Sequence, residues 1–335
     1  MKKVYINMNW LTSAVTEMDI YLDMLKEAGL EVYVNNCGRT MTREEAMADL
    51  PGYQIYLGST VPFDGPLLDA LPDLKLIART GVGYDTIDVP AATARGVAVT
   101  ITPGAGAEAV SEFAMALMIT VARRVVELDR SLRQGAWERL AGPALWNKKL
   151  GIIGMGRIGK KMAEISRGFN MKIMAYDPCR DEEFAKRLNV TYCDSLEEML
   201  KEADFITIHA PLTDETKDMI DTKQFALMKP GAILINCARG GIVNEKALGE
   251  ALKSNRIAGA GFDVFEQEPI KADNPLFKLE NLVMTPHNAG TSLEGKNSVV
   301  KAAVINVVEY ATGKQPYGVL NPEALAGTGA AGGKS

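Results

Sequence analysis

Three polar side chains close successive apolar runs in the second half of this chain: Arg239 after GAILINCA, Glu268 after AGAGFDVF and a short loop, and His287 after NLVMTP. Their types complement one another. Moving a hydride onto or off a carbinol carbon requires a proton to move on or off its oxygen, and an imidazole titrates where it can do both. His287 is the candidate for that proton. A carboxylate beside it would stabilise the imidazolium and fix the ring's tautomer, a task for Glu268. A guanidinium offers two parallel donors to a substrate carboxylate and can polarise a neighbouring carbonyl, which suits Arg239. Each residue alone has a structural explanation: an Arg in a glycine turn, a Glu before Pro269, a His after Pro286. What favours chemistry is the set of three at the ends of successive strands. The second histidine, His209, lies within an apolar strand before Pro211 and reads as a core or cofactor-pocket imidazole rather than a catalyst.

The element that must supply the hydride partner is KLGIIGMGRIGKKMAEISRGFNMKIMAYDP, residues 149–178. It reads as strand, glycine turn, helix, strand. Gly154 allows the tight turn, Gly156 lets a pyrophosphate approach the backbone, and Gly159 lets the helix pack closely on the strand. The helix N-terminus offers unpaired N–H groups to the phosphates. Asp177, about 18 residues beyond the last glycine, is placed to bind an adenosine ribose and to repel a 2′-phosphate, so NAD is expected over NADP. Arg180 lies near enough to weaken that preference.

Around this unit the chain alternates strand and helix. From Lys3 to about Thr102 the runs VYIN, EVYVN, YQIYL, LKLIAR and VAVTI are separated by helical patterns, which implies a parallel sheet covered on both faces. After its fourth strand comes Arg79-Thr-Gly81-Val82-Gly83-Tyr84-Asp85, whose glycines can expose consecutive N–H groups to a carboxylate. Ala105 to Leu132 reads as one long apolar helix leaving this domain, to pack on the second sheet and against another subunit. Trp137 and Trp146 read as packing or interface anchors. Beyond Asp177 the strands DFITIHAP, GAILINCARGG, RIAGAGFDVF and NLVMTPHNAG continue the second sheet. The expected fold is α/β with two doubly wound parallel-sheet domains, a Rossmann nucleotide domain (103–288) inserted into a flavodoxin-like substrate domain (1–102 and 289–325). A disordered tail is expected at 326–335.

Composition narrows the function. The 335 residues are 47% hydrophobic and 24% charged, enough for two cores, and the net charge of −5 carries no basic run that would suit nucleic acid. No apolar run approaches the roughly 18 residues of a membrane span, and the N-terminus lacks a signal-peptide pattern, so a cytoplasmic protein is expected. Cys37, Cys179, Cys193 and Cys237 show no CxxC spacing, and with two histidines they suggest neither a disulfide framework nor a metal site.

GIIGMGRIGK, HAPLTDET, MKPGAILINCARGGIVNEKAL, AGAGFDVFEQEP and TPHNAGTS closely resemble the D-isomer-specific 2-hydroxyacid dehydrogenases, including D-3-phosphoglycerate dehydrogenases and glyoxylate/hydroxypyruvate reductases. The resemblance covers nearly the whole chain and is strongest from 75 to 290. It implies a bilobal fold, a homodimer joined mainly through the nucleotide domains, a small 2-hydroxy or 2-keto acid as substrate, and a catalytic set matching Arg239, Glu268 and His287. It also implies a carboxylate loop at Val82 and Gly83 and contact of Asp263 with the nicotinamide carboxamide. Arg157 and Ile158 would run along the pyrophosphate, with His209, Pro211, Thr216, Cys237 and Ala238 around the cofactor. The segments ITPGAGAEAVSE and 78–85 look most like phosphoglycerate dehydrogenases, in which Arg79 matches a basic residue used for the phosphate. Gly58 stands where those enzymes often place a second Arg, which leaves the phosphorylation of the substrate open, and their C-terminal regulatory domain has no counterpart here. Related formate dehydrogenases carry Gln at the position of Glu268. A non-enzymatic NAD(H)-sensing protein, like the corepressors built on this scaffold, is the alternative from another functional class.

Overall fold

The computed structural model describes residues 1–7, 16–35, 37–39, 41–59 and 61–325; the tail expected at 326–335 lies outside the described residues. The chain divides into two compact units, one formed by Met1–Gly106 with the segment that begins at Ser292, the other by Ala107–Thr291.

In the first unit, β1 (Lys2–Asn7), α1 (Met18–Glu27), β2 (Leu30–Asn35), α2 (Arg43–Asp49), β3 (Ile55–Gly58), α3 (Gly65–Asp69), β4 (Leu76–Arg79), α4 (Val89–Ala94) and β5 (Ala98–Thr100) alternate along the chain. All strand pairs are parallel, in the order β2-β1-β3-β4-β5. Helix starts are written in the sequence: Thr42, Asp64 and Asp88 each accept a backbone N–H of the first turn, satisfying a donor that the helix leaves orphaned. Alternate strand residues enter opposite cores, Val4, Ile6, Leu57 and Ala78 on one face and Tyr5, Tyr56, Ile77 and Val99 on the other. That explains runs without polar alternation.

The second unit begins with α5 (Ala107–Ala122) and α6 (Val125–Arg133) and continues through β6 (Lys149–Ile153), α7 (Arg157–Ser166), β7 (Lys172–Tyr176), α8 (Glu182–Leu188), β8 (Val190–Tyr192), α9 (Leu196–Glu202), β9 (Phe205–Ile208), α10 (Thr222–Leu227), β10 (Ile233–Asn236), α11 (Glu245–Lys253), β11 (Gly259–Phe262) and β12 (Leu282–Met284). Its seven parallel strands run β12-β11-β10-β9-β6-β7-β8, so the order reverses between β6 and β9. A switch point of this kind opens a crevice at the carboxyl ends of the strands. Glycines in β11 serve helix packing: a Cβ on Gly259 would meet Val121, and one on Gly261 would meet Ile235 and Leu117. The chain then returns to the first unit through α12 (Leu293–Ala311), whose Val300, Ala303, Val304 and Val307 complete the Val4/Ile6 core. Asn321 finally caps β5, accepting the Val99 N–H at 2.8 Å and donating to the Val97 carbonyl at 2.9 Å.

Two elements differ from the sequence reading. The helix expected over 105–132 is broken, because Arg124 adopts a left-handed conformation between α5 and α6. Gly142 passes so close to the end of α5 that a Cβ there would stand 2.0 Å from the Ala122 carbonyl oxygen, so the chain folds back on the helix terminus. The pair α8 and β8 was not expected after Asp177; β8 is three residues long, too short to show a period, although Asp181 marks the helix start by accepting the Phe184 N–H at 3.0 Å. Among the described residues no helix is long and apolar enough to cross a membrane, and no group of side chains could hold a metal ion.

Candidate active site

The strands β10, β11 and β12 are adjacent, so the loops after them bring Arg239, Glu268 and His287 to one end of the sheet. Glu268 and His287 meet directly: Nδ1 of the ring lies 2.6 Å from Oε2 of the carboxylate. The other oxygen, Oε1, accepts the Phe265 N–H at 2.9 Å, so the carboxylate is held at both ends. Burial raises the Glu268 carboxyl, but the hydrogen bonds from His287 and Phe265 and the charges of His287 and Arg239 outweigh it and hold the group below the usual carboxylate range. Arg239 is half-buried and donates from Nη1 to the Ala238 carbonyl at 2.7 Å. Its turn is fixed by Asn236, whose amide donates to the Arg239 carbonyl at 2.9 Å and accepts the Ala238 N–H at 3.0 Å.

Asp263 follows β11 directly. It is 0% exposed, and its carboxylate is held within the protein by the Thr285 hydroxyl at 2.5 Å and the N–H groups of Asn288 at 2.8 Å and Ala289 at 2.7 Å. These bonds fasten the turn that carries His287 and leave one acceptor site on Oδ2. Cys237, also buried, has its thiol pushed up by burial and by the Asp263 charge, so it is a packing group rather than a nucleophile.

At the switch point, the glycine turn has the shape a dinucleotide needs. Gly154 has φ +91°, and a Cβ on it would strike the backbone of His209 and Ala210 at the end of β9. A Cβ on Gly159 would stand 2.0 Å from the Gly154 carbonyl oxygen, so α7 is docked backbone to backbone on the turn. Gly156 is different: among the described residues, its chain neighbours aside, no atom comes within 4 Å of where its Cβ would be, and no side chain caps α7. Open space in front of an uncapped helix start fits a phosphate. Arg157 is exposed and Ile158 half-buried beside it. Asp177, after β7, accepts the Met155 N–H at 2.6 Å and the Cys179 N–H at 2.7 Å, so it braces the turn and keeps further acceptor sites. Arg180 is drawn away to Asp194, 2.8 Å from its Nη2. His209 bonds Thr207 through Nε2 at 3.0 Å, whereas its buried Nδ1 has no partner among the described residues. Burial pushes this imidazole down to about 3, so it is neutral at physiological pH. The Thr216 hydroxyl donates to the Pro211 carbonyl at 2.7 Å and ties the 211–216 loop. An orphaned ring nitrogen, an open glycine and a carboxylate at the second strand end together fit NAD.

The Arg79 loop belongs to the first unit. Arg79 donates to its own loop, to the Gly83 carbonyl from Nε at 2.9 Å and to the Thr80 carbonyl. Gly81 has φ +142°, and among the described residues no acceptor takes the N–H groups of Val82 and Gly83. Asn236, Glu245 and Glu266, which the sequence does not mark, bond backbone groups around the site. Nothing in periodicity marks such contacts.

Residues 115–289 match the family described as D-isomer specific 2-hydroxyacid dehydrogenase, NAD binding domain. The chain is 46% identical over 272 residues to the glyoxylate reductase of Korarchaeum cryptofilum, covering 79% of this chain and 82% of that one. It is 41% identical over 303 residues to the D-3-phosphoglycerate dehydrogenase of Archaeoglobus fulgidus, covering 90% of this chain but 57% of that one. Among solved structures, the TT0316 protein from Thermus thermophilus superposes with a TM-score of 0.86 at 34% identity, covering 95% of this chain and 99% of that one.

Proposed function

This chain belongs to the D-isomer-specific 2-hydroxyacid dehydrogenase family, and from that premise we propose that it reduces small, unphosphorylated 2-keto acids with His287 as the proton donor. It is an oxidoreductase of the CH–OH group of 2-hydroxy acids and uses a nicotinamide cofactor, NAD, which when bound donates or accepts the hydride. The observation that carries the proposal is the 2.6 Å bond between His287 and Glu268. A carboxylate on Nδ1 keeps that nitrogen protonated and leaves Nε2 to hand a proton to a keto oxygen, or to take one from a hydroxyl in the reverse direction. Arg239 binds the substrate carboxylate and polarises the carbonyl. The N–H groups of Val82 and Gly83 are the first unit's donors for a carboxylate. Gly156 admits the pyrophosphate, Asp177 binds the ribose and opposes a 2′-phosphate, and the neutral His209 offers its unpaired nitrogen to the cofactor's pocket.

The substrate class is supported by the end of β3. A Cβ at residue 58 would stand 2.1 Å from the Asn7 carbonyl oxygen and 2.7 Å from the Tyr56 hydroxyl, so this strand end has no room for a second basic side chain.

We further propose a cytoplasmic homodimer joined through the nucleotide unit. Helix α6 buries no side chain and exposes Val125, Val126 and Leu132, and Trp137 beyond it is 81% exposed, an apolar face that a second copy would cover. The free thiols Cys37 and Cys179 are exposed, which fits a reducing compartment.

The test is a panel of glyoxylate, hydroxypyruvate, phosphohydroxypyruvate and pyruvate with NADH and with NADPH, run on the wild type and on His287→Ala. Turnover of the unphosphorylated acids with NADH is expected, falling about 10²–10⁴-fold in the variant while NADH still binds. Silence across the panel would return the chain to a nucleotide-sensing role, and near-normal turnover by the variant would remove His287 from the chemistry.

A further inference from the structure

Glu245 and Glu266 each close the backbone of the other. The Glu245 carboxylate accepts the Glu266 N–H at 2.6 Å, and the Glu266 carboxylate accepts the Glu245 N–H at 3.0 Å. This reciprocal clamp ties the first residue of α11 to the loop after β11. Starting the helix does not require it, because Asn244 already caps α11 by accepting the Ala247 N–H at 3.0 Å. The clamped loop is the one that carries Glu268. Phe265, next to Glu266, donates the N–H that holds Glu268 Oε1 at 2.9 Å, while Oε2 holds His287 at 2.6 Å. From the other side the turn after Arg239 leans on the same peptide: a Cβ on Gly240 would stand 1.9 Å from the Phe265 carbonyl oxygen. Residues 265 and 266 are therefore where the clamp, the arginine turn and the carboxylate's anchor meet.

We infer that Glu245 is a positioning residue for the Glu268–His287 pair, acting through its clamp with Glu266 to fix the Phe265 N–H from which the Glu268 carboxylate hangs. The inference rests on the proposed role of His287 as proton donor. The clamp is held against an electrostatic cost. Burial raises the Glu245 carboxyl above its ordinary value; the Glu266 N–H and the Asn274 amide lower it, the charges of Glu266 and Glu268 raise it, and the net direction is upward. The titratable and charged groups around this junction are Glu245, Glu266, Glu268, Arg239 and His287. A side chain needed only for solubility would not be half-buried among like charges.

The experiment compares Glu245→Ala with Glu245→Gln in the full chain, reading the pH profile of kcat/KM for a 2-keto acid that the wild type reduces, with thermal melting alongside. Without the clamp the carboxylate loses its fixed aim at the ring. Glu245→Ala should therefore lower kcat/KM about tenfold and move the profile's ionisation down by about half a pH unit or more. Glu245→Gln keeps an oxygen that accepts the Glu266 N–H, and should recover the wild-type profile with activity within about threefold of it. An unshifted profile in Glu245→Ala, whatever its melting temperature, overturns the inference, as does a glutamine variant no better than alanine. If Glu245→Ala does not fold, Glu266→Ala, at an exposed position, carries the same test, and an unshifted profile there has the same force. His287→Ala, run beside them, separates the failures: full activity in that variant overturns the proton-donor role itself and the positioning role with it.

Discussion

Replacing Glu268 by glutamine keeps the shape of the side chain and removes its charge, and the structure shows why the two atoms exchanged are not equivalent. Oε1 faces a donor, the Phe265 N–H at 2.9 Å, and Oε2 faces the His287 ring at 2.6 Å. An amide has one acceptor for these two places. Turned one way, its NH2 opposes Phe265; turned the other, it opposes Nδ1–H and drives the ring toward the wrong tautomer. A hydrogen bond to a charged group contributes about 1.5–3 kcal/mol. With side chains 53% and 36% exposed, the pair is screened by water, and the lower end applies. About 1.5 kcal/mol corresponds to roughly a tenfold weaker hold on the ring. In the reducing direction the protonated pair is the active species, so kcat/KM falls as pH rises through its ionisation; in Glu268→Gln that fall should begin at lower pH. In the oxidising direction the neutral ring is active, and the rise with pH should move down by the same amount. The assay is the absorbance of NADH at saturating cofactor, in both directions, across the pH range in which the wild type is stable. Profiles that coincide with the wild type in both directions would refute the pairing of Glu268 with His287 as a source of proton affinity.

Gly156→Val should fold and melt like the wild type, since nothing stands near its Cβ, yet bind NADH at least about tenfold more weakly, a loss of about 1.4 kcal/mol; unchanged affinity by calorimetric titration would move the pyrophosphate elsewhere. Gly159→Ala, whose Cβ would stand 2.0 Å from a carbonyl oxygen, should instead lower stability by about 1–3 kcal/mol in denaturant unfolding. Because the folded-state ionisation of Glu268 lies below its ordinary value of 4.5, the stabilisation it gives is present above that value and lost as pH falls through the folded one. The stability advantage of the wild type over Glu268→Gln should accordingly shrink below about pH 4.5, and an advantage that grows on acidification would contradict the sign. The protein should sediment as a dimer, and Val126→Glu with Leu132→Glu should give monomers; a monomeric wild type would leave the exposed face of α6 unexplained.

The sequence made the sheets legible because both are parallel and buried on both faces, so their strands stand out as apolar runs between capped helices. It also located the ends of those strands, and so the three groups that carry the proposed chemistry. Hidden were features that depend on which backbones touch. Arg124 gives no sign that α5 stops before it; the cause is the return of Gly142 against the helix end, some twenty residues on. β8 is too short to have a period. The carboxylate of Asp263 takes its donors from Thr285, Asn288 and Ala289, more than twenty residues on, which no local pattern marks. Glu245 reads as an ordinary first-turn acid until its partner, 21 residues away, is seen.

The buried Asp263 also explains how the site tolerates the backbone it needs. His287 has φ +50°, a left-handed conformation that a residue with a Cβ enters at a cost of about 1–3 kcal/mol. That twist turns the ring back from the end of β12 toward Glu268, on the loop of the neighbouring strand. Its cost is offset locally, since the His287 N–H bonds the Asp263 carbonyl at 2.8 Å while the Asp263 carboxylate takes the hydroxyl and the two N–H groups that flank the twisted residue. One buried acid thus grips the turn on both sides of the histidine through four bonds, and among the described residues the histidine ring has Glu268 as its hydrogen-bond partner. The order of dependence runs from Asp263, which sets the backbone, through Glu268, which sets the ring, to Nε2, the proposed site of proton transfer. A substitution at each step should therefore act on a different observable: the fold of the turn, the ionisation of the pair, or the rate of transfer itself.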